Sequence, residues 1–360
     1  MKHKKLYIAA TGQHVGKTTS TLGLVYALRK MGNDVGYCKP VGQEFVDLGN
    51  LRADKDALLF SSFMDFQLDA SIHSPVILGN GATSAFLDDP SAFEFENDIH
   101  HASNFLADNH ETVVYEGTGH PGVGSVVNLS NADVAKMLDA KVIMVVKGGI
   151  GNTIDRLEMA LALFREKKVP VVGVIVNKVR PDKIDKVKHY VGKYLKSINI
   201  PLLGCIPFDQ TLSNPMMQSI KEAINGTVVM NEEYMDNQVE DIIAGSLVDK
   251  NELRHFKNLL LVVSGNRLEE ALRKVKFFAY RARVENPLSG IIVTNELEYP
   301  KWIDEYINEN KIPVVHTTLD TFGSVVKISR IEVKINTRTP WKVKRACELI
   351  EQSVDLDLIC

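Results

Sequence analysis

Cysteine is scarce in this chain, with four among 360 residues. Cys38, Cys205, Cys347 and Cys360 stand far apart, and no two have the short spacing of a zinc site or a redox motif. A reduced, cytoplasmic protein is the expectation. A surplus of one charge is also missing: 42 Lys and Arg face 45 Asp and Glu, a formal net charge of −3. Such balance gives no general drive towards nucleic acid or an anionic membrane, and neither is expected as a partner. No apolar run approaches the ~20 residues of a membrane span. The opening MKHKKLYIAATG is basic and then apolar, but its apolar stretch, Leu6–Ala10, is too short for a secretory signal. Short-period repeats and low-complexity tracts are absent too. What remains, 45% hydrophobic and 24% charged residues, excludes a collagen-like, mucin-like or largely disordered chain. At ~100–200 residues per domain, the length suggests two domains.

Short β-rich runs alternate with helical patterns. Strands are predicted at Lys5–Ala10, Val35–Tyr37, Thr112–Tyr115, Lys141–Val146, Val171–Val176 and Pro201–Phe208. Leu22, Val25, Leu28 and Met31 have helical spacing, which predicts a helix over Thr18–Met31, and another is predicted over Thr153–Glu166. Near-continuous Val/Ile runs separated by helices point to an α/β fold, a mostly parallel sheet covered on both faces. Ser61–Asn109 is less periodic and reads as loops with one or two helices at the sheet edge. A second alternation follows. Strands at Leu259–Val263, Gly290–Val293 and Val314–Thr317 are separated by helices at Leu268–Arg283 and Trp302–Asn310, a smaller βαβαβ domain. The expected division is 1–212 for the first domain, 213–235 for a linker, 236–340 for the second domain and 341–360 for a C-terminal helix or tail.

The strongest local signal is ATGQHVGKTTSTLGL, residues 10–24. A strand enters, a loop turns, and a helix starts at Gly-Lys-Thr, the context a P-loop requires. Loop N–H groups and a helix N-terminus attract phosphate. Gly16 lets the backbone approach closely, Lys17 would reach the β- and γ-phosphates, and the Thr18 hydroxyl would sit on Mg²⁺. Thr11 stands where the strict pattern has its first glycine, and Gly12 comes one place late. Lys39, in CKPVGQE, ends the second strand. Strand carboxyl ends face the ligand crevice of such sheets, so Lys39 would meet a γ-phosphate or a substrate carboxylate. A surface lysine before a proline-fixed turn is the plainer alternative. Glu116 ends a strand and opens the glycine-rich EGTGHPGVGS; a carboxylate there completes a Mg²⁺ shell. Asp54 and Asp56, in LRADKDA, mean little alone. Asn177-Lys178-Val179-Arg180 resembles a guanine-reading pattern, but Arg180 replaces its aspartate. Asn177 remains suited to an adenine edge.

Taken together, VGKT, KPV, DA, EG and an Asn after a later strand resemble dethiobiotin synthetase in order and spacing. GTGHPGVGSVVNLSNADVAKMLDAKVI and the second domain are closer to the dethiobiotin-synthetase-like N-terminal region of some phosphotransacetylases, where a DRTGG domain follows. The resemblance covers about residues 5–340. It implies a P-loop fold in which Thr11, Gly12, Val15, Gly16, Lys17, Thr18 and Thr19 hold ATP. It also implies that Thr18, Asp56 and Glu116 bind Mg²⁺, that Lys17 and Lys39 act on the transferring phosphate, and that Asn177 contacts adenine. In that family the transferase domain lies C-terminal to these two, so acetyl transfer is not expected here.

The departures shape the function. Gly12, Gln13 and His14 replace the synthetase's acidic, substrate-facing residues, which puts the dethiobiotin substrate in doubt. Asn266-Arg267 stands for Asp-Arg, and Thr294-Asn295-Glu296 for Thr-Gly-Gly, so no nucleotide site is expected in the second domain. The mostly basic stretch Lys327–Arg345 reads as a solvated face. Two functions remain open. One is a nucleotide-dependent regulatory or assembly ATPase; the other is an ATP-dependent ligase phosphorylating a small carboxylate or carbamate. The expected partners are such a small molecule, another protein or further copies of the chain.

Overall fold

Apolar runs such as Leu6–Ala10 and Val142–Val146 are buried along their whole length, which requires cover on both faces of a sheet. The computed structural model describes residues 4–49, 51–245, 257–295, 300–331 and 333–358. It places these runs in a six-stranded parallel sheet. From one edge to the other the strands are Leu202–Pro207, Val171–Val179, Lys141–Lys147, Lys4–Ala10, Thr112–Glu116 and Val35–Cys38. From the interior strand Lys4–Ala10 the chain passes to the edge strand Val35–Cys38, returns to place Thr112–Glu116 between the two, and then crosses to the other side, where it builds outward. That reversal opens a crevice at the strand carboxyl ends, and the phosphate loop, Lys39 and Glu116 all follow such ends.

The chain divides into two compact units, Met1–Asp209 with Ile335–Cys360, and Gln210–Lys334. Ser61–Asn109 is more regular than its sequence suggests. Helices span Ala70–His73, Ala82–Asp88 and Phe95–Asn109, and a further helix, Lys55–Met64, runs into this region. The second unit has its own five-stranded sheet, in the order Thr227–Met230, Val314–Thr317, Leu288–Thr294, Leu259–Ser264 and Asp241–Ala244. All its strand pairs are parallel except that of Thr227–Met230. The expected βαβαβ core is therefore flanked by two further strands.

Residues 213–235, expected as a linker, instead carry the helix Met217–Ile224 and the edge strand Thr227–Met230. Met217, Ile220 and Ile224 form one apolar stripe, packed with Leu260, Val262 and Ile292. In the sequence this stripe shows as one short helical pattern among the breakers Asn214, Pro215 and Gly226, which read together as a boundary segment.

The helix Pro340–Ser353 packs on the phosphate-loop helix Lys17–Lys30 within the first unit. The approach is close at Gly23, where a Cβ would lie 2.2 Å from Ile350 Cγ1 and 3.0 Å from the Ala346 carbonyl. The basic stretch Lys327–Arg345, which runs into this helix, is not simply solvated. Lys342 is buried, and Arg345 donates to Asp209 at 2.7 Å and to Glu348 at 3.0 Å. Glu332, its one acidic member, lies outside the described residues. Gly23→Ala is expected to destabilise the protein by about 1–3 kcal/mol through overpacking. Denaturant melts check this. The double variant Gly23→Ala/Ile350→Ala should lose less than the two single losses summed, because the second change makes room for the first.

Candidate functional site

The loop between the strand Lys4–Ala10 and the helix Lys17–Lys30 needs a residue that tolerates left-handed backbone just before the helix. Gly16 supplies it at φ 97°. Its missing side chain is also a steric necessity, since a Cβ would stand 2.1 Å from Asn177 Nδ2. The helix has no side-chain cap and no acidic residue in its first turn. Its first N–H groups, with Lys17, Thr18 and Thr19 in that turn, therefore favour an anion. Thr11 Oγ1 is buried at the start of the loop without a hydrogen-bond partner. Gly12 stays half-buried and Val15 is buried, its carbonyl turned to a neighbouring strand.

That neighbour is Asn177. Its Nδ2 donates to the Val15 carbonyl at 2.9 Å, and its Oδ1 accepts the Lys178 N–H at 2.8 Å. Lys178 in turn donates from Nζ to the His14 carbonyl at 2.7 Å. Two consecutive residues at the end of the strand Val171–Val179 thus hold two consecutive carbonyls of the phosphate loop. The buried Asn177 amide, expected at an adenine edge, bonds to the loop and to its own strand end, and so braces the loop. Arg180 is exposed and forms a bidentate pair with Asp182.

The structure brings the remaining candidates into one charged cluster. Glu116 is fully buried at the end of Thr112–Glu116. It accepts from the Thr18 hydroxyl at 2.7 Å and from the Tyr37 hydroxyl at 3.3 Å. Lys17 Nζ donates to the Gly119 carbonyl at 3.4 Å, which ties the phosphate loop to the glycine-rich loop after Glu116. Lys39 is buried, not a surface lysine; it pairs with Asp56, and Asp54 Oδ1 lies 3.6 Å away. Asp54 caps the helix Lys55–Met64 by accepting the Asp56 N–H at 2.9 Å.

Electrostatics follow from this crowding. Burial and the nearby Lys39 charge lower the Lys17 pKa to about 8, against the pull of Glu116, Asp56 and Asp54. Burial also works against Lys39, but Asp56, Glu116 and Asp54 outweigh it and raise its pKa above the ordinary lysine value. Burial and repulsion from Asp56 raise Glu116 to about 7, although Lys39, Lys17 and the Thr18 hydrogen bond favour its charge. Burial raises the Tyr37 hydroxyl well above its ordinary value, so it stays a donor.

No group of three or more His, Cys, Asp and Glu side chains among the described residues could hold a metal by itself. Mg²⁺ at a phosphate site does not require one, since phosphates and water supply most of its shell. Thr18, Glu116 and Asp56 offer only hard oxygen donors, which fits that ion. The unpartnered Thr11 hydroxyl and the uncapped helix start fit a polyphosphate.

Tyr37, Asp54, Gly119 and Lys178 join the site without having been singled out for it. Asp54 carried a readable signal, an aspartate just before an apolar helical pattern, which marks a helix start. In the second unit Asn266 and Arg267 form a turn after Leu259–Ser264, and Asn295 takes φ 62° after Thr294. Asparagine there keeps the left-handed backbone that glycine would adopt freely. Glu296 lies outside the described residues. Among the described residues no helix is long and apolar enough to cross a membrane, and Cys38, Cys205 and Cys347 are free and buried; Cys360 lies outside the described residues.

Residues 4–216 match the family model described as AAA domain, and residues 219–331 match the DRTGG domain. The chain is 23% identical over 359 residues to the phosphate acetyltransferase of Synechocystis sp., across 97% of this chain and 50% of that protein. It therefore spans about half the length of the phosphate acetyltransferases it matches. It is 26% identical over 209 residues to the ATP-dependent dethiobiotin synthetase BioD of Xanthomonas euvesicatoria, across 58% of this chain and 92% of that protein. Among solved structures it is similar to the MinD cell division protein of Aquifex aeolicus, at 15% identity and TM-score 0.38 over 58% of this chain and 84% of that one.

The Glu116 shift sets a pH dependence of stability. The folded carboxyl keeps its proton to about pH 7, while the ordinary value is 4.5. Between those limits the folded state binds more protons than the unfolded state, so stability falls as pH rises and levels off above the window. Melts of ligand-free wild type against Glu116→Gln should show wild type losing ground steadily from pH 4.5 to 7. A constant difference across that range would contradict the shift.

Proposed function

The chain belongs to the AAA domain family through its first unit, and from that premise we propose that it is a Mg-ATP-binding P-loop protein acting as a nucleotide-dependent regulatory or assembly ATPase. The observation that carries this reading is the Thr18–Glu116 hydrogen bond beside Lys17. A helix-start hydroxyl and a strand-end carboxylate share one point, next to a lysine and an open helix N-terminus. In this reading Thr11, Gly12 and Val15–Thr19 surround the phosphates, and Thr18, Glu116 and Asp56 hold Mg²⁺. The ion supplies charge neutralisation at the phosphates. Asn177 and Lys178 keep the loop carbonyls turned away from the anion, and Lys17 and Lys39 add positive charge where a third phosphate develops it. The DRTGG domain in the same chain supports a coupled, regulatory role. Nucleotide state would be read out through a change in assembly or in affinity for another protein.

Buried Lys39 favours a second reading. A buried ammonium at the crevice suits a substrate carboxylate or carbamate as well as a γ-phosphate. An ATP-dependent ligase, as in the named dethiobiotin synthetase, would use it to stabilise a mixed phosphoric anhydride that an amine then opens. ATP turnover that depends on a small carboxylate would decide for this reading; nucleotide-dependent assembly without such a substrate would decide for the first.

Mg-ATP at 100 times its dissociation constant should raise stability by about 2.7 kcal/mol. A thermal melt should register the rise in wild type and lose it in Lys17→Ala. Unchanged melts for both proteins in millimolar Mg-ATP would refute the site. ATP should outcompete GTP, because Arg180 stands in the place of a guanine-reading aspartate and is engaged by Asp182. Asn177→Ala should weaken ATP and GTP alike, since its amide acts on the loop; competition titrations measure both effects. Lys39→Ala should keep ADP affinity and blunt the response to ATP, measured by titration with each nucleotide.

A further inference from the structure

Asp56 stands in two places at once in the site just proposed. It is the ion-pair partner of Lys39, and it is a ligand for the cation. It is also the more exposed of the two aspartates, with 24% of its side chain accessible against 2% for Asp54. A carboxylate that turns towards a divalent cation gives up part of its hold on an ammonium. The buried lysine then needs a second anion that does not move.

Asp54 has the features of that fixed anion. Its backbone N–H donates to Ser74 Oγ at 3.0 Å, and Ser74 is itself buried. Its Oδ1 accepts the Asp56 N–H at 2.9 Å and lies 3.6 Å from Lys39 Nζ. Its Oδ2 is packed against Gly42, where a Cβ would intrude to 2.4 Å. That Oδ2 makes no hydrogen bond of its own. Backbone and carboxylate are therefore both held in place, and among the described residues the ion pair Asp54 makes is with Lys39. Helix capping alone does not call for this arrangement. Asparagine and serine cap as well as aspartate does and bring no charge into the interior.

We infer that Asp54 is a positioning residue: it holds the Lys39 ammonium at the crevice when Asp56 turns to the nucleotide's cation. The inference rests on the nucleotide reading of the site. It predicts that Asp54 acts on ATP only through Lys39, and that it matters more for the triphosphate than for the diphosphate.

A double-mutant cycle tests it. Wild type, Asp54→Asn, Lys39→Ala and the double variant are titrated with Mg-ADP and Mg-ATP, and their ATP turnover is measured. Asp54→Asn should keep Mg-ADP affinity within about twofold, since the cap is retained, and should lose on the order of tenfold in preference for ATP over ADP. Turnover at saturating ATP should fall with that preference. The double variant should be no worse than Lys39→Ala alone. Asp54→Ser, a second uncharged cap, should repeat the Asn result and serves if the Asn protein does not fold. An ATP preference equal to wild type in either folded variant overturns the inference, and so do losses that multiply in the double variant. Wild type that binds neither nucleotide fails the site reading itself, a result distinct from either of these.

Discussion

Two ammonium groups and three carboxylates share one crevice at the carboxyl ends of parallel strands, and little of their charge reaches water. Lys17, Lys39, Asp54, Asp56 and Glu116 must therefore compensate one another in the absence of any ligand. Much of the local architecture follows from that requirement. Tyr37 is buried with its hydroxyl on Glu116, the Thr18 hydroxyl takes the other oxygen, and Gly119 offers Lys17 a carbonyl. A ligand that brings phosphates and a divalent cation adds charge of both signs, with the negative in excess, so the cation can take up a carboxylate while the phosphates take up the ammonium groups and no ion is left stranded. Breaking a single partner out of such a set costs more than the pair itself contributes.

The sheet was legible because buried parallel strands leave long apolar runs, and the phosphate loop because its turn chemistry is local. Lys39 and Glu116 were legible as polar residues at the ends of those runs. The rest required the third dimension. Lys178 braces His14 across 164 positions, and nothing near either residue in the chain announces the contact. Asn177 was noticed for its amide, but which group that amide serves depends on how closely Gly16 lets the loop approach. Asp54 was quoted and set aside, because an acidic residue in a loop and one buried under a helix start look alike when spelled out. The helix Met217–Ile224 left a short helical pattern in SNPMMQSIKEAINGT, but three apolar positions over two turns among flanking breakers did not show that the segment belongs to a packed domain and not to a linker.

In the second unit a motif has lost letters at a place where the backbone still takes a conformation that glycine favours. Asn295 adopts the left-handed conformation at a place where the DRTGG pattern has glycine. A side chain stands there after the strand Leu288–Thr294, and it takes away the close approach of a ligand that a glycine would allow. Shape is therefore a poor guide to whether this domain retains the family's chemistry.

The pairing of the phosphate-loop helix with Pro340–Ser353 has a consequence for biosynthesis. Gly23 and Ile350 touch, yet more than 300 residues of chain, including the whole second unit, are made between them. At about 5–20 residues per second the ribosome takes tens of seconds to cover that distance. Through that interval one apolar flank of the helix Lys17–Lys30 stays bare on the nascent chain. The second unit, contiguous in sequence, can close its own core before the first unit finishes. Until Pro340–Ser353 emerges, that bare flank is the part of the first unit most open to mispairing, and the arrival of this helix is what closes it.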